Sequence, residues 1–178
     1  VTFTIHPFGG KPDLLKNLPD RLRGYAGWLP ADWHIVVLVD EDRQDCKVLK
    51  AQMKQAARGA GLIMRGSAAG GSRIRVLNRI AIEELEAWFF GDVPAMAAAY
   101  PRVSAQLGAR APYRDPDAIK GGTAEALERV LQRAGYHRGG LAKIAAARDI
   151  SQHMDPRRNR SKSFQVFRDA LARLGVVQ

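Results

Sequence analysis

The sequence predicts an α/β fold in which a mostly parallel sheet flanked by helices is followed by a helical C-terminal half. Two observations indicate this class. The segment "HIVVLV" at residues 34–39 is a continuous apolar run, typical of a strand buried on both faces of a parallel sheet. From residue 83 onward, apolar residues recur at helical spacing. We therefore expect an α/β core over residues 1–91 and a helical region over residues 92–178 packed on the same domain.

The first elements follow from periodicity. "VTFTIHPF" alternates apolar and polar residues, which predicts a half-buried strand with Val1, Phe3 and Ile5 on one side. The next segment, up to about residue 29, has leucines near helical spacing, and Pro19 is expected to break or kink that helix. "HIVVLV" then supplies the central strand.

The rest of the α/β core is predicted in the same way. "CKVLKAQMKQAARGAG" places Leu49, Met53, Ala56 and Ala60 on one stripe and ends in glycines, which predicts a helix with a C-terminal stop. "LIMR" is a short strand candidate. "SRIRVLNRIAI" alternates again and predicts a further strand.

Five helices are predicted after residue 83. "EELEAWFFGD" and "VPAMAAAY" are expected to be two helices separated near Gly91, with Asp92 as an N-cap. "TAEALERVLQRAG" is a third, with Thr123 as its N-cap and Gly135 as its stop. "GGLAKIAAARDI" and "SFQVFRDALARLG" complete the half.

Charge and composition limit the partners and the cellular location that the chain can have. The 178-residue chain has a formal charge of +10, which favours nucleic acid as a partner, although a GC-rich genome would also supply many arginines. The single Cys46 excludes an internal disulfide framework. We find no secretory signal and no apolar run long enough for a membrane span. We therefore expect a cytoplasmic protein without a membrane partner.

Acidic residues follow the predicted central strand. Asp40 and Asp42 stand at its carboxyl end, where open parallel sheets bind ligands. Two carboxylates two residues apart in an extended segment point the same way and can share a cation with oxygen ligands. Alternatively, they form an acidic turn in which Asp40 or Asp42 caps the helix beginning near Cys46.

A second acidic group begins the helical half. Glu83 and Glu86 are one helical turn apart, and Glu84 lies on a neighbouring face. They could extend the aspartate site, or they could simply be acids favoured in a first helical turn. Trp88 and the two phenylalanines after it are expected to be core residues rather than a stacking platform.

Two basic segments are candidates for phosphate binding. "DPDAIKGGT" places Lys120 and a glycine pair before a helix N-terminus, which suits an anion or a simple turn and cap. "HMDPRRNRSKSF" combines basic and hydroxyl side chains ahead of the last helix, which suits phosphates, although a solvated basic loop would look the same. Its cationic residues are Arg157, Arg158, Arg160 and Lys162.

Three blocks together resemble an uncharacterised bacterial domain-of-unknown-function family allied to the Toprim fold. The blocks are "GKPDLLKNLPDRLRGYAGWLPADWHIVVLVDEDRQDC", "IAIEELEAWFFGD" and "RNRSKSF". The resemblance covers nearly the whole chain. It implies the fold of Toprim domains, found in topoisomerases, primases and OLD-type nucleases, which hold magnesium through an early glutamate and a later aspartate pair. It also implies an ATPase encoded nearby as a partner, in some cases in phage-defence loci.

The resemblance assigns roles to individual positions. Asp40 and Asp42 match the Toprim aspartate pair, and Glu84 and Glu86 match the acids of the family's E-L-E-A-W block. The C-terminal block is matched by Asn159, Ser161, Ser163 and Phe164. The family's N-terminal strand and helix, with a glutamate-rich motif, have no counterpart here. We therefore expect either a fragment or an incomplete metal site.

These observations support three hypotheses. In the leading one, the chain is a Toprim-like phosphodiester hydrolase of DNA or RNA that uses Mg²⁺ or Mn²⁺. Its catalytic residues would be Asp40, Asp42, Glu84 and Glu86, with the metal held by Asp40, Asp42 and Glu86. The first alternative is a non-catalytic subunit that binds nucleic acid or docks on an ATPase. The second is hydrolysis or sensing of a small phosphorylated ligand. Homo-oligomers are compatible with all three.

Overall fold

The computed structural model describes residues 2–42, 44–64 and 74–175. It is an α/β structure with a small parallel two-stranded sheet flanked by helices. The chain divides into two compact units. One comprises Val1–Ile80 and Ala170–Gln178, and the other comprises Ala81–Asp169.

The first unit contains the sheet. Helix α1 (Lys11–Trp28) precedes strand β1 (Ile35–Asp40), and helix α2 (Cys46–Gly59) connects it to strand β2 (Val76–Ala81). A strand in the "HIVVLV" run and the predicted helix from Cys46 are therefore confirmed. The expected burial on both faces of that strand is wrong, because Val36 is exposed at 38%. The "LIMR" candidate contributes a single parallel bridge, from Met64 to Val76, and its Arg65 lies outside the described residues.

The core of this unit explains why these segments fold together. Leu18 and Leu22 of α1 and Leu49 and Met53 of α2 are buried with the inward residues of β1. Burying each such side chain stabilises the fold by about 1.5–3 kcal/mol. The apolar stripes of both helices and the inward side of β1 are therefore buried in one core. Helix α1 continues through Pro19, so the predicted break at that residue is wrong.

The predicted first strand is also wrong. Within residues 2–8, the structure assigns no strand, and the Phe3 and Ile5 side chains are exposed at 74% and 75%. Alternation identifies a segment that could line a sheet, but a strand also needs a neighbour to receive its backbone hydrogen bonds. The aromatic residues that follow lie against α1 instead, with the His6 ring 6.1 Å from that of Tyr25.

The second unit is helical. Helices α3 (Glu86–Gly91) and α4 (Val93–Ala99) meet at Asp92, which caps α4 by accepting from the Ala95 backbone N–H, as predicted. Three short 3-10 helices then lead to α5 (Thr123–Arg133) and α6 (Lys143–Ser151). Helix α7 (Lys162–Arg173) begins in this unit.

A separate core holds these helices together. Phe90, Met96, Leu127, Leu131 and Ile150 are fully buried in it. Among the described residues, every helix is too short or too polar to cross a membrane.

Helix α5 begins differently from the prediction. Gly122 is its N-cap and Thr123 is its first residue, so the prediction of Thr123 as the cap is wrong. At the other end, Gly135 has a φ of 82°, the left-handed conformation of a helix stop, which confirms its predicted role.

Candidate functional site

The acidic loop after β1 holds a cationic side chain. Asp40 is the last residue of β1, and Asp42 follows in a left-handed turn with a φ of 50°. The Lys11 ammonium, at the start of α1, lies 2.7 Å from Asp42 Oδ2 and donates to the Glu41 carbonyl oxygen, also at 2.7 Å. The loop therefore directs a carboxylate and a carbonyl oxygen at the same positive charge.

The helix after this loop is capped by a different acid. Asp45 is the N-cap of α2, and its Oδ1 accepts from the Lys47 backbone N–H at 2.7 Å. The alternative in which Asp40 or Asp42 caps this helix is therefore wrong. Neither Asp40 nor Asp42 is therefore that cap.

The donor chemistry of this loop fits magnesium. Magnesium prefers oxygen ligands and is often held by one or two carboxylates, with water and substrate phosphates completing its shell. Asp40 and Asp42 supply two carboxylates. Over residues 2–42, 44–64 and 74–175, however, no three His, Cys, Asp or Glu side chains lie together as a metal-binding group.

Glu84 and Glu86 lie in the second unit and share one lysine. Lys143 Nζ, in the first turn of α6, is 3.5 Å from an oxygen of each carboxylate. Burial lowers the pKa of the Lys143 ammonium, but the charges of Glu86 and then Glu84 raise it by more. The pKa of Lys143 therefore lies above its ordinary value.

Glu84 also has a structural task. Its Oε2 accepts from the Ala124 backbone N–H at 2.8 Å and from the Thr123 hydroxyl at 3.1 Å. Glu84 therefore provides an acceptor for a backbone N–H in the first turn of α5, where the helix dipole favours a negative charge. Glu86 is buried, with only 9% of its side chain exposed, at the start of α3.

Arg158, predicted to bind phosphate, is paired within the protein. Its Nε and Nη2 donate to the two carboxylate oxygens of Asp92 at 2.7 Å and 3.1 Å. The hydrogen bond to Asp92 raises the pKa of the Arg158 guanidinium above its usual value. Asp92 is completely buried and also accepts from the Asp155 backbone N–H. This arginine therefore anchors the loop before α7.

The "RNRSKSF" block forms a buried polar network. Asn159 donates from Nδ2 to the Trp88 carbonyl oxygen at 2.8 Å and accepts at Oδ1 from the Ser161 backbone N–H. Ser161 and Ser163 each donate from the hydroxyl to Asp117 Oδ1, and the Ser163 backbone N–H donates to Asp117 Oδ2. These hydrogen bonds to the Trp88 carbonyl oxygen and the Asp117 carboxylate fix the start of α7.

Trp88 joins the network to the aromatic core. Its indole N–H donates to Ser163 Oγ at 2.8 Å, and its ring stacks on Phe167 and meets the edge of Phe164. Trp88 is buried, which confirms that it is a core residue rather than a stacking platform.

The remaining predicted phosphate contacts are exposed side chains. Arg160 donates from Nη2 to the Gly108 carbonyl oxygen at 3.3 Å. Asp115, in the "DPDAIKGGT" segment, caps a 3-10 helix by accepting from the Asp117 backbone N–H. The exposed residues are Lys120, Arg157, Arg160 and Lys162.

The comparisons with known proteins agree with these blocks. A model of the family described as Domain of unknown function (DUF4276) matches residues 3–172. The chain belongs to this family. No curated protein and no solved structure matches it. Family membership confirms the family that the three sequence blocks indicated, and the relation to Toprim domains stays a prediction.

Two residues of this family member carry roles that sequence patterns did not indicate. Lys11 and Lys143 each neutralise acids that were predicted to bind metal. Nothing in the local spacing marks either lysine, since each partner is at least 30 residues away. The only available signal was their position at the start of a helix, where a positive charge is unfavourable without an acidic partner.

Proposed function

We propose that this chain is a Toprim-like phosphodiester hydrolase that acts on nucleic acid, with magnesium or manganese as cofactor and Asp40 and Asp42 as its ligands. The observation that carries the proposal is the position of Asp40 at the carboxyl end of β1, followed two residues later by Asp42. In open parallel sheets, ligands bind beyond the carboxyl ends of the strands. A phosphodiester also matches the formal charge of +10.

The surroundings of Asp42 support a cation at this place. Its carboxylate and the Glu41 carbonyl oxygen already receive the Lys11 ammonium. When bound, magnesium supplies positive charge that stabilises the phosphoryl oxygens during cleavage. Asp40 and Asp42 would hold the ion, and Lys11 neutralises Asp42 when the ion is absent.

Other elements of the proposal come from the family resemblance. An ATPase encoded nearby would be the partner, as in phage defence. Lys120 and the cations from Arg157 to Lys162 would position the nucleic-acid backbone; all but Arg158 lack an acidic partner among the described residues. We propose a cytoplasmic location because the chain has a single cysteine.

A second candidate function is a subunit that binds nucleic acid or docks on an ATPase without cleaving anything. The observation that favours it is the Lys11–Asp42 ion pair, with 2.7 Å between Nζ and Oδ2, because a metal would have to displace this ammonium. Among the described residues, no third metal ligand accompanies the two aspartates.

Calorimetric titration of magnesium or manganese separates the two functions. The wild-type chain is compared with Asp40→Asn/Asp42→Asn and with the control Asp20→Asn/Asp32→Asn. The control removes the same charge from exposed positions of the same unit. We expect the wild type and the control to bind metal and the site variant to lose binding.

Nuclease assays complete the test. Labelled single-stranded DNA, duplex DNA and RNA are incubated with each variant, with magnesium, manganese or a chelator. Metal-dependent cleavage that disappears in Asp40→Asn/Asp42→Asn supports the hydrolase. Nucleic-acid binding that is unchanged in the site variant, without metal binding or cleavage by the wild type, would establish the non-catalytic subunit instead.

A further inference from the structure

Three arginines line one cleft in the second unit. Arg102 follows α4, Arg110 lies between two 3-10 helices, and Arg133 is the last residue of α5. The floor is apolar and includes Val103, Leu107 and Val130. Of the residues that the structure describes, none that lines the cleft is acidic.

Two of these guanidiniums lack internal partners. Within the described residues, neither Arg110 nor Arg133 donates a side-chain hydrogen bond or joins an ion pair. This differs from Arg158, whose guanidinium is bound by Asp92. All three arginines are exposed at the cleft. Like charges that line one cleft repel each other, and a bound anion relieves that repulsion.

The third arginine is held in place by the protein. The Arg102 guanidinium carbon lies 4.4 Å from the centre of the Tyr136 ring, and Nη2 donates to the Gly135 carbonyl oxygen at 3.4 Å. Gly135 leaves the room for this contact, because a Cβ there would lie 3.2 Å from Arg102 Nη1. An arginine fixed in this way loses less conformational entropy when it binds a ligand.

The size of the cleft limits what it can hold. Its volume is about 150 Å³, below the roughly 300–1,000 Å³ of pockets that enclose a whole drug-sized ligand. It therefore suits one anionic group of a larger molecule. Guanidinium groups match the oxygens of phosphate in geometry and charge, and the exposed Ser104 hydroxyl at the rim can donate to the same oxygens.

We propose that the cleft of Arg102, Arg110 and Arg133 is a phosphate-binding site. Its ligand is a phosphate group, either of a nucleic-acid backbone or of a free phosphorylated molecule. The backbone source rests on the nucleic-acid partner proposed above, whereas phosphate binding itself is independent of metal and of cleavage.

The test compares two double variants in chelator, so that the outcome does not depend on catalysis. Arg110→Gln/Arg133→Gln removes two cleft charges. Arg129→Gln/Arg148→Gln removes two charges from exposed positions of α5 and α6 that do not line the cleft. Fluorescence anisotropy measures binding of labelled single-stranded DNA, duplex DNA and RNA at several salt concentrations, and native-state hydrogen exchange verifies folding.

We expect the cleft variant to bind the oligonucleotide about tenfold more weakly than the control variant. The slope of log affinity against log salt concentration should also be smaller in magnitude by about 1–2, because each lost phosphate contact lowers that slope by about 0.7–0.9. If both variants lose the same affinity for the oligonucleotide, the net charge of the protein explains the binding and the proposed site is wrong. If no phosphate probe binds the wild type, the site is also wrong.

Competition identifies the source of the phosphate. Inorganic phosphate and ATP are titrated against the bound oligonucleotide while the Arg102, Arg110 and Arg133 side-chain N–H resonances are followed by NMR. Displacement at micromolar ATP with shifts of these resonances supports a free phosphorylated ligand. Shifts caused by oligonucleotide but not by ATP support a polymer backbone. Binding without shifts at any of the three arginines would overturn the proposal, whatever the cleavage assays give.

Discussion

Arg158 donates to both carboxylate oxygens of Asp92, with distances of 2.7 Å from Nε and 3.1 Å from Nη2. The two residues are 66 positions apart. Asp92 is completely buried, and it also accepts from the backbone N–H groups of Ala95 and Asp155. One carboxylate therefore joins the start of α4 to the loop before α7.

Asp92→Ala is expected to lower the free energy of unfolding of the second unit by about 3 kcal/mol. The change removes a helix cap and leaves buried N–H groups without an acceptor. Native-state hydrogen exchange of the α3, α4 and α5 amides measures the effect within this unit. Unchanged protection of these amides would contradict the role given to Asp92.

Arg158→Ala is expected to cost less, about 1 kcal/mol, because 44% of the arginine side chain is exposed and water can replace part of the interaction. Arg157→Ala is the matched control, since its side chain is exposed. We expect Arg158→Ala to affect stability more than nucleic-acid affinity, and Arg157→Ala the reverse. The opposite pattern would show that Arg158 acts mainly as a phosphate contact and not as the partner of Asp92.

Gly91→Ala is expected to destabilise the second unit by more than about 2 kcal/mol, the range of disruptive overpacking. A Cβ at Gly91 would lie 2.9 Å from the Ser161 backbone nitrogen and would collide with the Asn159 carboxamide. Both belong to the buried polar network and cannot move independently.

Gly24→Ala in α1 is the control for this glycine. Apart from the neighbouring backbone of its own helix, no described atom lies within 4 Å of the position where its Cβ would be. It should raise stability by about 0.5–1 kcal/mol, because alanine favours a helix interior. Thermal and urea unfolding of the two variants provide the comparison. Equal effects would show that the packing at Gly91 is not what matters.

Tyr100 is expected to ionise only in strong alkali. Burial and then its hydrogen bond to Asp149 raise the pKa of the Tyr100 hydroxyl to about 12 from an ordinary value of 10.0. The folded state therefore keeps its proton where the unfolded state releases it. This contribution to stability is complete below pH 10.0 and is lost as the pH rises toward about 12.

Asp149→Asn tests the cause. The amide carries no charge, so the pKa of Tyr100 should fall toward its ordinary value and the alkaline loss of stability should become less steep. Tyrosinate absorbance and unfolding midpoints across the alkaline range measure the two effects. A pKa unchanged by this substitution would assign the whole shift to burial.

Local patterns predicted the secondary structure where one segment determines it. The apolar run Ile35–Val39 became β1, with Val37 and Val39 buried in the core. Helix α2 begins with its own cap at Asp45 and ends in glycines. Phe3 and Ile5 carry an equally clear alternation, yet they are exposed. The difference lies in the neighbouring elements, which a single segment does not encode.

The partners of the candidate site residues come even more from distant parts of the sequence. Thr123 has the chemistry of an N-cap, but Glu84, 39 positions earlier, supplies the acceptor for this helix start. Arg158 resembles its cationic neighbours in the sequence, but only Arg158 meets Asp92. Residue type therefore predicted which groups are charged, and tertiary contacts decided which of those charges remain for a ligand.

Glu84→Gln distinguishes a structural role of this residue from a catalytic one. Glutamine keeps an acceptor oxygen for Ala124 but removes the negative charge from the first turn of α5 and from Lys143. We expect a loss of about 1 kcal/mol in stability and no change in metal affinity. Calorimetry and hydrogen exchange of α5 provide the measurements. A loss of metal binding in a variant with an intact α5 would make Glu84 part of the metal site.

Lys11→Met addresses the cation that already lies beside Asp42. Asp42 is 47% exposed, so the ion pair contributes no more than about 1 kcal/mol to stability, and folding should be nearly unaffected. A metal ion bound through Asp42 would no longer compete with the ammonium or be repelled by it. Two unit charges about 4 Å apart interact by about 1 kcal/mol in bulk water and about 4 kcal/mol near a protein surface, so we expect magnesium affinity to rise at least about fivefold.

Lys16→Met is the matched control for this prediction, since Lys16 is an exposed lysine of the same helix. Both variants lose one positive charge, but only Lys11 contacts the acidic loop. Calorimetric titration of magnesium with the wild type and the two variants measures the difference. A gain in Lys11→Met alone would place the metal at Asp42. An equal gain in both would reflect net charge, and a loss in Lys11→Met would mean that the lysine organises the loop that holds the ion.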